Sequence, residues 1–242
     1  MIKKLDWDSK HYGFNIAQID SARLKGDRDS IDIFARKQNI EVVQVYCNTS
    51  DVKTTTMLED GGFHFVGLDI TLILDLKNDA YEDHHYLLAV KEDIPRLKEI
   101  AETVFTIHRF QDRKFDQKKV SEMYKIWTEK SVCGQFDDFC LKMTNAEDIV
   151  GFTTVKIIDT NSAQIGLFGI DVPYQGQSFG STLMDSLMSF LNERNIKKVI
   201  VRTSGNNTRA LSFYLSCGFM INTINSWYYK LYSYESLSYT IQ

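Results

Sequence analysis

No apolar run in these 242 residues approaches the ~20 that a membrane-spanning helix needs, so membrane partners are not expected. The opening Met1-Ile2-Lys3-Lys4-Leu5-Asp6-Trp7-Asp8 puts acidic residues where a signal peptide carries its apolar core, and a cytoplasmic protein is expected. The four cysteines (Cys47, Cys133, Cys140, Cys217) show no CxxC spacing and no histidine pairing for zinc. They read as reduced thiols, with no metal site. Positive charge is not in excess. The formal net charge is −4, which argues against nucleic acid as a partner but not against small phosphorylated ligands, which need only local donors. Neither the G-x-x-x-x-G-K-[ST] of a P-loop nor the G-x-G-x-x-G of a dinucleotide fold occurs.

What is present is an ordinary globular composition. Hydrophobic residues make up 43%, enough to bury the core of one large or two small domains. The most informative stretch is Tyr174-Gln175-Gly176-Gln177-Ser178-Phe179-Gly180-Ser181. An apolar strand, Ile165 to Ile170, precedes it. A helix follows, with Leu183, Leu187 and Leu191 on one face. A small-residue loop before a helix leaves backbone N–H groups unpaired at the positive end of the dipole, where phosphate oxygens bind. Further on, Lys197-Lys198-Val199-Ile200-Val201 reads as a strand. Then comes Asn207-Thr208-Arg209-Ala210-Leu211-Ser212-Phe213-Tyr214-Leu215-Ser216-Cys217-Gly218-Phe219.

Together these segments resemble the signature of the GNAT superfamily of N-acetyltransferases. Its acyl-CoA loop is written Q/R-x-x-G-x-G/A, and its second half N-x-x-A-x-x-F-Y-x-x-x-G-F. Gln175 and Gly180 match the loop; Ser178 stands where the middle glycine is usual. The likeness covers roughly residues 86–232. It implies an α+β fold, a mixed and mostly antiparallel sheet flanked by helices. It also implies acetyl-CoA or another short acyl-CoA as co-substrate, with no metal. The pyrophosphate is then held by Gln175, Gly176, Gln177, Ser178, Phe179, Gly180 and Ser181, with Asn207 near the cofactor. The backbone N–H near Ile170 polarises the thioester carbonyl, and Tyr214 protonates the leaving thiolate. For the base, Asp171, His108 and a water chain stay open. Read without the family, Tyr214 is an aromatic on the core face of its helix, Asn207 a helix cap and Asp171 a surface carboxylate.

The chain also echoes itself. Asn39 to Phe63 aligns without a gap to Asn195 to Phe219, through Asn-Ile, two valines and a closing Gly-Phe. Strand-like stretches follow both copies, Leu68 to Leu74 and Trp227 to Leu231. Residues 1–77 therefore read as a small, truncated GNAT-like domain without a pyrophosphate loop. Leu58 stands at the position of Tyr214, so this copy is expected not to be catalytic. A polar linker, 75–85, precedes the main domain, 86–232. Within it, Leu87 to Val90 reads as a strand, and a helix opens at Glu92-Asp93-Ile94-Pro95 and runs to about Phe105. A second helix spans Gln117 to Ser131, with Val120, Tyr124 and Trp127 on one face.

Two further segments narrow the resemblance within the superfamily. The opening Leu5 to Phe14, and His108-Arg109-Phe110-Gln111-Asp112-Arg113-Lys114-Phe115, are similar to enzymes that acylate nucleotide-linked (dTDP) deoxyamino sugars for lipopolysaccharide and other surface polysaccharides. Their R-F-x-x-D-x-x-F is one residue shorter here. The resemblance implies His108, Arg109 and Arg113 as substrate-binding residues, with the arginines on the diphosphate. A nucleotide-linked amino sugar is the expected partner, and a homodimer is among the assemblies allowed. Trp7, Tyr12 and Phe14 read as packing for the small domain. The alternatives are an acetyltransferase of a protein N-terminus or small-molecule amine, and a non-catalytic acyl-CoA-binding module.

Overall fold

Side-chain caps and left-handed turns divide this chain into its elements. In the computed structural model, which describes residues 2–20, 28–76, 85–112 and 114–233, it runs β1 (Ile2–Lys4), α1 (Asp6–Tyr12), β2 (Ile16–Asp20), α2 (Arg28–Lys37), β3 (Val42–Asn48), α3 (Val52–Asp60) and β4 (His64–Asp75). There follow β5 (Leu87–Leu88), α4 (Ile94–Val104), α5 (Gln117–Val132), β6 (Phe139–Asn145), β7 (Asp148–Ile157), β8 (Ser162–Ile170), α6 (Phe179–Asn192), β9 (Lys198–Ser204), α7 (Thr208–Ser216) and β10 (Met220–Leu231). The helix starts obey local chemistry. Pro95 lies in the first turn of α4, where its missing N–H costs nothing. The Asp116 carboxylate accepts from the Lys118 amide at the start of α5. No described helix is long and apolar enough to cross a membrane.

The internal echo is a repeat of structure. Strand β3, helix α3 and strand β4 match β9, α7 and β10 residue for residue, at the offset separating Asn39 from Asn195. Asp51 caps α3 by accepting from the Thr54 amide at 3.1 Å; Asn207 caps α7 by accepting from the Ala210 amide at 3.2 Å. The Phe63 amide donates to Leu58 O, and its counterpart Phe219 donates to Tyr214 O.

The chain forms two compact units that interleave along the sequence. The first comprises the described parts of Met1–Leu68, Asp112–Phe115 and Ile224–Gln242; the second comprises those of Asp69–Gln111 and Asp116–Thr223. In the first, β1 pairs antiparallel with β2, β2 parallel with β3, and β3 antiparallel with β10 from Asn48↔Asn225 to Val42↔Leu231. Its core gathers Ile19, Ile31, Val43, Val45, Leu58, Phe63 and Tyr228. In the second, residues Asp69 to Asp75 of β4 pair antiparallel with β9, and β9 runs parallel to β8. Strands β7, β6 and β5 then follow antiparallel in turn. Each copy of the repeat thus sends its last strand into the other copy's sheet. The proposed 1–77 and 86–232 are contiguous stretches, whereas the compact units exchange these strands; the linker lies mostly outside the described residues.

Two cores flank the second unit's sheet. Leu97 and Ile100 of α4 pack with Phe152 and Leu167 on one face. Leu183, Leu187 and Leu191 of α6 pack with Val155, Ile165 and Val199 on the other. Cys47 and Cys140 are buried, and burial pushes their thiols up to about 11 and about 12, so both stay protonated.

Candidate active site

The site begins with a defect in β8. Register with β7 runs Val155↔Ile165 and then Thr153↔Phe168, so Gly166 and Leu167 both face Thr154. This is a β-bulge, which bends its strand. Pairing of β8 with β9 ends at Ile165↔Val201, although β8 runs on to Ile170 and β9 to Ser204. Beyond the bulge the two strands part. The Asp171 amide bonds to Val150 O at 2.8 Å, so by antiparallel alternation Phe168 and Ile170 point their N–H groups away from β7, into the opening.

The loop after β8 is tied at several points. Gln175 donates through Nε2 to Ile170 O at 2.6 Å and accepts at Oε1 from Arg209 Nη1 at 2.5 Å, bridging the strand end to α7. Gln177 donates to Pro173 O at 2.9 Å. Gly176 and Ser178 both take left-handed φ angles, 79° and 67°. Ser178 thus occupies, with a side chain, the conformation that glycine adopts freely at the family's middle position. Thr182 is the first amide of α6 with a partner, donating to Ser178 O at 3.0 Å. Among the described residues, the amides from Gly176 to Ser181 donate to no protein group. Unpaired amides at a helix start can donate to an anion.

Asp171 is 8% exposed and engaged on both oxygens, by Arg96 of α4 and by the Val172 amide at 2.8 Å. Arg96 also donates to Ile149 O at 3.2 Å, so it joins α4 to the loop's root. Tyr214 is 5% exposed, in the last turn of α7, with its ring against Phe168, Phe213 and Phe219. Burial pushes its phenol pKa well up, so the hydroxyl stays protonated at neutral pH.

On the α4–α5 side, aromatic rings line the approach to β8. A Cβ at Gly169 would stand 3.3 Å from Phe105 Cζ. Phe105 stacks on Tyr124 at 5.2 Å, and Tyr124 faces His108 at 6.0 Å. His108 is 9% exposed; its Nδ1 has no hydrogen-bond partner, and burial lowers its pKa, so the ring is neutral. The Arg109 guanidinium lies over the Phe110 ring at 4.2 Å. Arg113 lies outside the described residues. In the first unit, Phe115 packs edge-on against Tyr12 and Phe14, while Trp7 stacks on His11.

The strand end, the loop, α7 and the start of α6 lie together: Gln175 bridges Ile170 to Arg209, Phe168 packs on Tyr214, and a Cβ at Gly180 would meet Phe213 and Ile170. Arg96, Arg209, Phe105 and Tyr124 were not singled out as site residues from the sequence. Arg209 had a signal, since it lies inside the Asn207–Phe219 segment. Arg96 had none, because its partner Asp171 is distant in the chain.

The acetyltransferase (GNAT) family matches residues 94–219. Over 232 residues the chain is 27% identical to dTDP-fucosamine acetyltransferase of Escherichia coli O6:H1, covering 95% of this chain and 97% of the relative. A conserved protein of unknown function from Staphylococcus epidermidis superposes with a TM-score of 0.64 at 16% identity, over 96% of this chain and 92% of that one. A GCN5-related N-acetyltransferase from Sphaerobacter thermophilus gives 0.64 at 14% identity, over 95% and 76%.

Proposed function

This chain belongs to the acetyltransferase (GNAT) family and is an N-acyltransferase, and we propose that it acylates the amine of a nucleotide-linked deoxyamino sugar, probed first as the dTDP form. The observation that carries the substrate class is the extent of the likeness to the Escherichia coli enzyme, which runs through the N-terminal copy as well as the acetyltransferase segment.

In this reading the free amides from Gly176 to Ser181 hold the pyrophosphate of acyl-CoA, helped by the α6 dipole. The Ile170 N–H polarises the thioester carbonyl and stabilises the oxyanion as the amine attacks. Tyr214, buried and protonated, gives its proton to the departing thiolate. Asp171, paired with Arg96 and accepting from the Val172 amide, anchors the loop root. Neutral His108, whose buried Nδ1 lacks a hydrogen-bond partner, is the candidate to receive the amine's proton. Arg109 contributes to the sugar's diphosphate. The N-terminal copy has Leu58 where α7 has Tyr214 and is not catalytic.

The test is thiol release over a panel of acyl-CoAs and amines. Turnover is expected with nucleotide-linked amino sugars and not with peptide N-termini. Arg109→Ala should lower kcat/KM for the nucleotide sugar roughly ten- to a hundredfold, through KM, leaving the KM for acyl-CoA unchanged. Equal activity on the free amino sugar and its nucleotide-linked form would rule out a diphosphate subsite.

A further inference from the structure

The bulge in β8 is held from the side by a buried carboxylate. Asp137 is 3% exposed, and its Oδ2 accepts from three neutral donors: Trp127 Nε1 at 2.7 Å, Ser131 Oγ at 3.2 Å and Thr154 Oγ1 at 2.5 Å. Burying a carboxylate among neutral donors is costly, and the cost points to what the group holds in place. Thr154 gives its one proton to Asp137, which leaves its lone pairs for the Leu167 amide at 2.8 Å. Thr153 Oγ1 donates to Leu167 O at 2.9 Å. A bulged residue loses its ladder partners; here two threonine side chains replace both of them. Space is tight as well. A Cβ at Gly166 would lie 2.2 Å from Asp137 Oδ2 and 2.7 Å from Thr154 Oγ1, so a side chain there would expel the carboxylate.

From this we infer that Asp137 and Thr154 are positioning residues for acyl transfer. They fix the bulge at Leu167, and the bulge aims the Ile170 amide, three residues on, at the thioester carbonyl. Without the carboxylate, the Thr154 hydroxyl is free to rotate and the Leu167 amide loses its acceptor. The inference rests on the acyl-transfer reading of this site. It adds residues that touch neither CoA nor acceptor.

Infrared spectroscopy of carbonyl-labelled acetyl-CoA bound to the full-length protein tests it, alongside thermal protection by the same ligand and kcat on the best amine. The wild-type protein should lower the carbonyl stretch on binding. Thr154→Val keeps the shape and removes the hydroxyl. It should retain thermal protection, return the stretch toward its value in free solution, and lower kcat roughly ten- to a hundredfold at unchanged KM for acetyl-CoA. Thr154→Ser should restore both signals. If Thr154→Val does not fold, Asp137→Asn serves, because it keeps the volume and weakens the acceptor; a partial loss of the carbonyl shift with intact binding is expected. A shift that survives these substitutions, or a loss of binding together with the shift, overturns the inference. A wild-type protein that binds acetyl-CoA without any carbonyl shift removes the Ile170 carbonyl site as well.

Discussion

Asn39 and Asn195 stand at equivalent places in the two copies and share one backbone conformation, with φ angles of 49° and 58°. Each ends the turn between a helix and the strand after it, and in each case the next residue, Ile40 or Ile196, donates back into that helix, to Ala35 O or Leu191 O. Left-handed backbone disfavours a Cβ, and asparagine tolerates it better than most residues.

This symmetry predicts matched substitution effects. Asn39→Ala and Asn195→Ala should each destabilise by about 1–2 kcal/mol, while the corresponding glycine variants stay near wild type. Thermal unfolding of the four proteins is the measurement. Glycine variants as unstable as the alanine ones would show that the side chains, not the φ angles, matter.

Acyl-CoA binding should protect against heat. A ligand at ~100 times its dissociation constant adds roughly 2.7 kcal/mol, or about 5–10 °C in a domain of this size. A Cβ at Gly180 would sit 3.4 Å from Phe213 Cε2 and 3.8 Å from Ile170 Cγ1. Gly180→Ala should therefore keep the protection, and Gly180→Val should lose it as its extra methyls press on Phe213 and the strand end. Undiminished protection in Gly180→Val would place the cofactor elsewhere.

Tyr214→Phe deletes one hydroxyl and keeps the ring against Phe168 and Phe219. Turnover should fall about 10²–10⁴-fold, with acyl-CoA affinity little changed. Leu58→Met, at the equivalent position, should leave turnover alone. An unimpaired Tyr214→Phe enzyme would assign thiolate protonation to water.

His108 couples stability to pH. Burial lowers its pKa in the folded protein, so below the unfolded value of about 6.5 the unfolded chain binds the proton first. The stability present above that pH is lost as pH falls toward the folded value. His108→Gln should therefore lose less melting temperature between about pH 7 and about pH 5 than wild type does. Equal losses would mean that the ring is protonated in the folded state, and would remove it as the neutral acceptor of the amine's proton.

Much of this was legible because the informative residues lie close together in sequence. A loop with free amides needs only a strand, small residues and a helix in order, and Tyr174 to Ser181 supplies the turn. The cap at Asn207 and the helix opening at Pro95 follow from single residues acting locally. The pairing of Asp171 with Arg96 and the reach of Asp137 to Thr154 were not legible, since each joins groups that only the sheet brings together. Ser178 shows a third case. Its spacing identifies the position, but its φ of 67° belongs to the backbone and is read only from the fold.

The exchange of β4 and β10 bears on synthesis. Strand β3 emerges early, yet one of its edges is covered by β10, made after every other described strand, in pairs as distant as Val42 with Leu231. Until then the nascent first unit presents an open row of backbone donors and acceptors, the kind of edge that recruits foreign strands. Pairs so remote in sequence also close slowly. For this protein, the emergence of β10 is the event that seals the half made first.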